Sequence, residues 1–216
     1  MVTEKISFDF QTAQRIIFGS GSAKQLGQLA ARIGKRAFWI TINRRPFHDE
    51  LERALIDAGI QFQTTVIHGE PKLDRIIELV NWVKEYQPDV LIATGGGSVM
   101  DCAKAVAALA VNPGDPVDYL EVVGRGKPLQ VNPLPVVAVP TTAGTGSEVT
   151  RNAVISLPQH GVKVSLRSPK MLPALALVDP TLTVGLPSRV TASTGMDALT
   201  QVIEPYVSNK ANAFTD

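Results

Sequence analysis

Val90-Leu91-Ile92-Ala93-Thr94-Gly95-Gly96-Gly97-Ser98-Val99-Met100-Asp101-Cys102-Ala103-Lys104 reads as a strand, a glycine turn and a helix start in direct succession. Glycines there let the backbone approach an anion closely, and the free N–H groups and dipole of the following helix attract phosphate. A plain turn would also use glycine, and Ser98 with Asp101 makes a capping-box-like pair. Three consecutive glycines exceed what such a turn needs. The stretch therefore points to a nucleotide or another phosphorylated ligand.

Strand and helix patterns alternate on both sides of it. After an extended piece at residues 5–10 and 15–18, Ser20-Gly21-Ser22 caps a helix carrying Leu26, Leu29, Ala30 and Ile33 that ends at Gly34. Strands are expected at 37–42, 62–67, 90–93 and 134–139, and helices at 49–58, 73–86 and 98–111. Residues 112–132, rich in Pro, Gly and charge, read as a long surface loop. Parallel strands with crossover helices are the economical arrangement, so the expected fold is a doubly wound α/β domain with a mostly parallel, Rossmann-like sheet.

From Asn152 the texture changes. Residues 153–156 and 162–166 flank Pro158-Gln159-His160-Gly161, a hairpin signal, and 175–180 read as one more buried strand. A helical pattern runs from 189 to 207, which puts a domain boundary near Pro187 and divides the chain into 1–187 and 188–216. Residues 212–216 resemble a helix beginning, and the apolar face of Leu199, Val202 and Ile203 has nothing to cover it. The reading is of a chain whose second domain has only begun.

A second glycine loop, Thr141-Thr142-Ala143-Gly144-Thr145-Gly146-Ser147-Glu148, follows the 134–139 strand at its C-terminal end, where open α/β sheets bind ligands. A flexible connector would use the same turn residues. Two such loops after two strands of one sheet favour a shared ligand. Asp197 and Gln201 lie four apart and project from one helix face, but a neutral amide oxygen holds transition metals weakly. By spacing alone they read as a polar face. His48, His68 and His160 sit in separate elements without ligand spacing.

With 21 Lys+Arg against 20 Asp+Glu, the net charge of +1 leaves no basic stripe for nucleic acid, and Arg44-Arg45 is the only adjacent arginine pair. The single cysteine, Cys102, excludes an intrachain disulfide framework, and Met-Val-Thr-Glu-Lys lacks the features of a signal peptide. The apolar run 102–111 is interrupted by Lys104 and stops at Asn112-Pro113, well short of a membrane span. The default setting is cytoplasmic, with no membrane or nucleic-acid partner.

Taken together, these motifs resemble the iron-containing (group III) alcohol dehydrogenase family. The residues that carry the resemblance are Phe18-Gly19-Ser20-Gly21, Gly95-Gly96-Gly97-Ser98 with Asp101 and Lys104, residues 140–148, Asp179-Pro180 with Leu186-Pro187, and Gly195-Met196-Asp197-Ala198-Leu199-Thr200. The resemblance implies a dehydroquinate-synthase-like α/β domain, then an all-helical domain, with NAD or NADP and a divalent metal (Fe²⁺ or Zn²⁺) between them. By position, Gly96, Gly97 and Ser98 would bind the pyrophosphate, with Asp101 near the nicotinamide. Thr141, Thr142, Thr145 and Ser147 would line the adenosine and nicotinamide side, and Lys163 would reach the nicotinamide ribose. Asp197 matches the first metal ligand. Gln201 stands where the family has a histidine, and two further histidine ligands belong to the helical domain, so both facts count against metal binding here. Where many relatives place an acidic residue after the second strand, this chain has Thr41-Ile42-Asn43-Arg44-Arg45, which suits a 2′-phosphate and predicts NADP at least as readily as NAD.

The expected function is hydride transfer between a nicotinamide and a small alcohol or carbonyl compound. The resemblance and the exposed edge at residues 5–10 also suggest a homodimer. Three rivals stand beside it: a metal-free reductase like those acting on maleylacetate, a nucleotide-binding module without catalysis, and, behind both, a sugar-phosphate lyase on the related fold.

Overall fold

Each central strand sends alternate side chains to opposite faces, and both faces are buried, so two hydrophobic cores form. In β2 (Arg36–Thr41), Phe38 and Ile40 enter one core while Ala37 and Trp39 enter the other. In β4 (Val90–Gly95), Leu91 and Ala93 separate in the same way from Val90 and Ile92. The computed structural model describes residues 8–215. Its six-stranded parallel sheet has the order β1-β8-β5-β4-β2-β3, with β1 at Ile16–Phe18, β3 at Gln61–Val66, β5 at Val136–Pro140 and β8 at Leu175–Val178.

One face is covered by α1 (Leu26–Ala30) and α2 (Phe47–Asp57), the other by α3 (Leu73–Tyr86) and α4 (Gly97–Val111). The hairpin of β6 (Asn152–Leu157) and β7 (Val162–Arg167) is antiparallel and packs through Ala153, Ile155, Leu157, Val164 and Leu166 onto the α3–α4 side. After β2 the chain runs outward to β3, then crosses back to β4 on the other flank of β2. That reversal opens a crevice beyond the C-terminal ends of the strands, the place where such sheets hold ligands.

The doubly wound, mostly parallel sheet is as expected, with differences at particular elements. The helix expected from Ser20 to Gly34 is a 3₁₀ turn, Ser22–Gln25, followed by only five α-helical residues. Residues 112–132 are no mere surface loop, because Tyr119, Leu120 and Leu129 are buried in the α3–α4 core. Asn112 pins both ends: its amide donates to Ala108 O (2.8 Å) and Val131 O (3.1 Å) and accepts from the N–H groups of Gln130 and Val131. β8 stops at Val178 because Asp179 caps the 3₁₀ turn Pro180–Thr183. Of the extended piece at 5–10, residues 5–7 lie outside the described residues, and Phe8 and Phe10 pack on Phe214 rather than forming a strand. Residues 212–215 make a turn closed by Thr215 N–H to Asn212 O, and Asp216 lies outside the described residues.

Asp179 ties the end of β8 to the turn after β1. It is 2 % exposed and accepts from Ala23 N–H (3.0 Å), Thr181 N–H (3.0 Å) and the Thr181 hydroxyl (2.6 Å). Burial pushes its carboxyl up, but these bonds outweigh burial and hold it below the ordinary 3.8. A depressed folded-state value means that this stabilisation is present above about pH 4 and is lost as pH falls through the folded value. Asp179→Ala should cost about 2–3 kcal/mol at neutral pH by urea denaturation, and the gap from the parent should narrow in acid.

α5 (Ser188–Tyr206) begins just after Pro187 and buries none of its residues, leaving Met196, Val202 and Tyr206 exposed. Among the described residues no helix is long and apolar enough to cross a membrane.

Candidate functional site

β4 and β5 are neighbours, with Gly95 opposite Pro140, so the two glycine loops leave the sheet side by side. They then pack on each other. A Cβ on Gly96 would lie 3.2 Å from Thr142 Oγ1, and one on Gly97 would lie 2.9 Å from the Thr145 side chain. Only glycine permits that approach without displacing the second loop. Gly97 and Ser98 open the fifteen-residue α4, whose first N–H groups have no intrahelical acceptor. They face a groove of about 640 Å³ lined by Gly96, Gly97, Ser98, Asp101, Thr142 and Thr145 among others. A cradle with no side chain at its floor and a helix N-terminus at its wall suits a pyrophosphate.

The second loop is held from below by Lys104, whose side chain is fully buried. Its ammonium donates to Ser147 Oγ (2.7 Å), Ser147 O (2.9 Å) and Thr150 Oγ1 (3.1 Å) and lies 3.2 Å from Asp101 Oδ1. The Ser147 hydroxyl donates in turn to Asp101 Oδ1 (2.5 Å), and Asp101 Oδ2 accepts from Val154 N–H (2.9 Å). The Lys104–Asp101 pair thus joins α4, the loop and the start of β6. Burial pulls the Lys104 ammonium below its ordinary range while Asp101 and Glu148 act to raise it, and burial pushes the Glu148 carboxyl up. The neighbouring Cys102 thiol is pushed up to about 12 by burial, which makes it an unreactive core residue.

The expected site residues therefore separate into groups. Gly96, Gly97, Ser98, Asp101, Thr142 and Thr145 share the groove. Ser147 is 4 % exposed and spends its hydroxyl on Lys104 and Asp101, so its role here is to hold the loop. Thr141 lines a separate slot of about 200 Å³ with Ile42, Arg45, Pro46, Phe47 and Leu182. Lys163 stands at the groove's edge in an ion pair with Glu70, which is itself a groove residue. Of the arginine pair, Arg44 is engaged by Asp49 and Glu52, which raise it further above its ordinary value, whereas Arg45 borders the slot.

Asp197 and Gln201 do meet on α5, where Gln201 Nε2 donates to Asp197 Oδ1 (3.0 Å) and to Gly144 O (3.2 Å). A Cβ on Gly144 would fall 2.8 Å from Thr194 Cβ, so α5 rests directly on the second glycine loop. One carboxylate and one amide are an incomplete donor set for Fe²⁺ or Zn²⁺, and among the described residues no three His, Cys, Asp or Glu side chains come together.

Sequence reasoning passed over Lys104 as a hub and left His48 between a surface and a core role, of which the structure shows the core one. A lone lysine inside an apolar run, three residues after an aspartate, was the available signal for the first.

The chain is similar to known proteins along most of its length. A family model for iron-containing alcohol dehydrogenase matches residues 13–180. The chain is 36% identical over 215 residues to 1-propanol dehydrogenase PduQ of Citrobacter freundii, covering 97% of this chain and 52% of that protein. It is 37% identical over 205 residues to an NAD-dependent methanol dehydrogenase of Bacillus methanolicus, covering 93% and 53%. A crystal structure of 1,3-propanediol oxidoreductase superposes with a TM-score of 0.89 at 34% identity, over 97% of this chain and 55% of that one. The chain spans about half the length of the curated relatives it matches.

Proposed function

The chain belongs to the iron-containing alcohol dehydrogenase family, and on that premise we propose that the whole protein is an NAD(P)-dependent oxidoreductase acting on small alcohols and their aldehydes or ketones. The observation that carries this reading is the interlocked pair of glycine loops at the head of α4. They would hold the cofactor's pyrophosphate, Thr141 and the slot beside it the adenosine, and the Asp101 end of the groove the nicotinamide. The nicotinamide supplies hydride chemistry when bound, and this chain's residues bind and orient it. The relatives' names are those of alcohol, propanol and methanol dehydrogenases and do not favour the maleylacetate reading.

NAD is the cofactor best supported, since one relative is named as NAD-dependent and Arg44 is neutralised by two carboxylates. Arg45 remains to meet a 2′-phosphate, so NADP should bind within about tenfold of NAD. Pro187 bounds the α/β unit in this reading, which extends to a cytoplasmic homodimer. Calorimetric titration of the full chain with NAD and NADP tests it. Binding of NAD without added metal is expected, and no heat with either nucleotide would sink the assignment.

Metal affinity is governed in the same reading by Gln201. Gln201→His puts an imidazole four residues from Asp197 and should tighten Fe²⁺ or Zn²⁺ binding about tenfold or more in equilibrium dialysis. Unchanged affinity would remove both residues from the metal site.

A further inference from the structure

His48 is 5 % exposed and sits where β2, β4 and the 43–46 loop meet. Its tautomer follows from its partners. Thr41 Oγ1 gives its proton to Thr94 O (3.0 Å), so it accepts from His48 Nε2–H at 2.8 Å. His48 Nδ1 is then unprotonated and accepts the Arg45 backbone N–H at 2.8 Å. The ring is stacked on Phe47, with centroids 4.6 Å apart, and lies 5.7 Å from Trp39, whose indole N–H donates to Thr94 Oγ1. A neutral imidazole therefore bridges the strand ends to the backbone of Arg45, and Arg45, Pro46 and Phe47 all line the slot beside Thr141.

We propose that His48 is a positioning residue that holds residues 43–47 in place at the adenosine end of the cofactor site, so that uptake of a proton by the imidazole weakens cofactor binding. This rests on the cofactor reading above. Protonation puts a hydrogen on Nδ1, where the Arg45 N–H now points, and leaves that N–H without its acceptor. The one remaining acceptor for the new hydrogen is Arg45 O, 3.2 Å away and already bonded to the His48 backbone N–H at 2.9 Å. The loop must shift to satisfy both groups. Among charged groups, Arg44 opposes the imidazolium while Asp49 and Glu52 favour it. β2 and β4 offer only Trp39, Thr41 and Thr94. Burial is the largest influence and holds the imidazole below its ordinary 6.5, so the neutral form prevails at neutral pH.

The test uses the full chain with Trp82→Phe, which leaves Trp39 as the sole tryptophan beside His48. Trp39 emission and the NAD dissociation constant are followed together from about pH 8 to about pH 5, with His48→Gln as a non-titrating comparison that keeps an amide donor for Thr41. The expected result is a Trp39 emission change on acidification, NAD affinity falling about tenfold with it, and neither change in His48→Gln. An equal fall in His48→Gln overturns the proposal, as does a Trp39 titration with unchanged affinity, or no titration at all. Failure of NAD to bind at every pH overturns the cofactor reading and this proposal with it. That case is recognised by a Trp39 titration that persists without any ligand response.

Discussion

Lys104→Met should lower stability by about 3–5 kcal/mol, because removing one partner of a buried ion pair leaves the other charge uncompensated. The methionine keeps the apolar stem and the volume, so the loss isolates the ammonium. Asp101 Oδ1, Ser147 O and Thr150 Oγ1 would each lose a donor inside the protein. For a domain of this size the change corresponds to a fall in Tm of about 10 °C, read by scanning calorimetry. Adding Asp101→Asn should cost less than the two single changes summed, since the unpaired carboxylate is then gone. A Lys104→Met protein that melts with the parent would mean that the hub contributes nothing.

Gly97→Val should abolish measurable NAD binding, a loss of more than about 100-fold, with a much smaller effect on stability. The Cβ alone would come within 2.9 Å of Thr145, and the two γ-methyls would occupy the space at the head of α4 that the anion is to enter. The collision falls on the side chain of Thr145, an exposed residue, so the fold can yield while the cradle cannot. Gly96→Ala, whose Cβ would meet Thr142 at 3.2 Å, should show a weaker form of the same defect. Calorimetric titration beside thermal melting separates binding from stability, and an unchanged dissociation constant for Gly97→Val would remove this turn from the site.

The parts of the fold legible in the sequence are those set by local chemistry. The run ending in Gly95-Gly96-Gly97 became β4 and the start of α4, and Pro158-Gln159-His160-Gly161 became a hairpin corner with Gly161 at φ 63°. Strand order was not legible, because nothing local tells β1 to pair with β8 rather than β2. Asn112 before Pro113 reads as a chain break, yet its side chain fastens a loop whose closing residues lie eighteen and nineteen positions on. Lys104 reads as an interruption of an apolar run, when its burial is conditional on three partners from a distant loop. Side chains whose environment is assembled by tertiary contacts carry little signature in their own neighbourhood.

The pairing of β1 with β8, Ile16 against Ala176, has a consequence for how the protein is made. On the ribosome β1 emerges before the other five strands of this sheet, but its neighbour among the described residues is β8, the last of the six in sequence. Closing a loop of that length comes late and costs chain entropy, so β2 to β5 can assemble while β1 waits. Throughout that wait Ile17, the β1 side chain that packs on the core beside Leu177, remains open to chaperones or to other nascent chains. The arrival of β8 then completes the six-stranded sheet and brings Asp179 to the N–H of Ala23, so this edge of the fold cannot be fastened before residue 179 has been made.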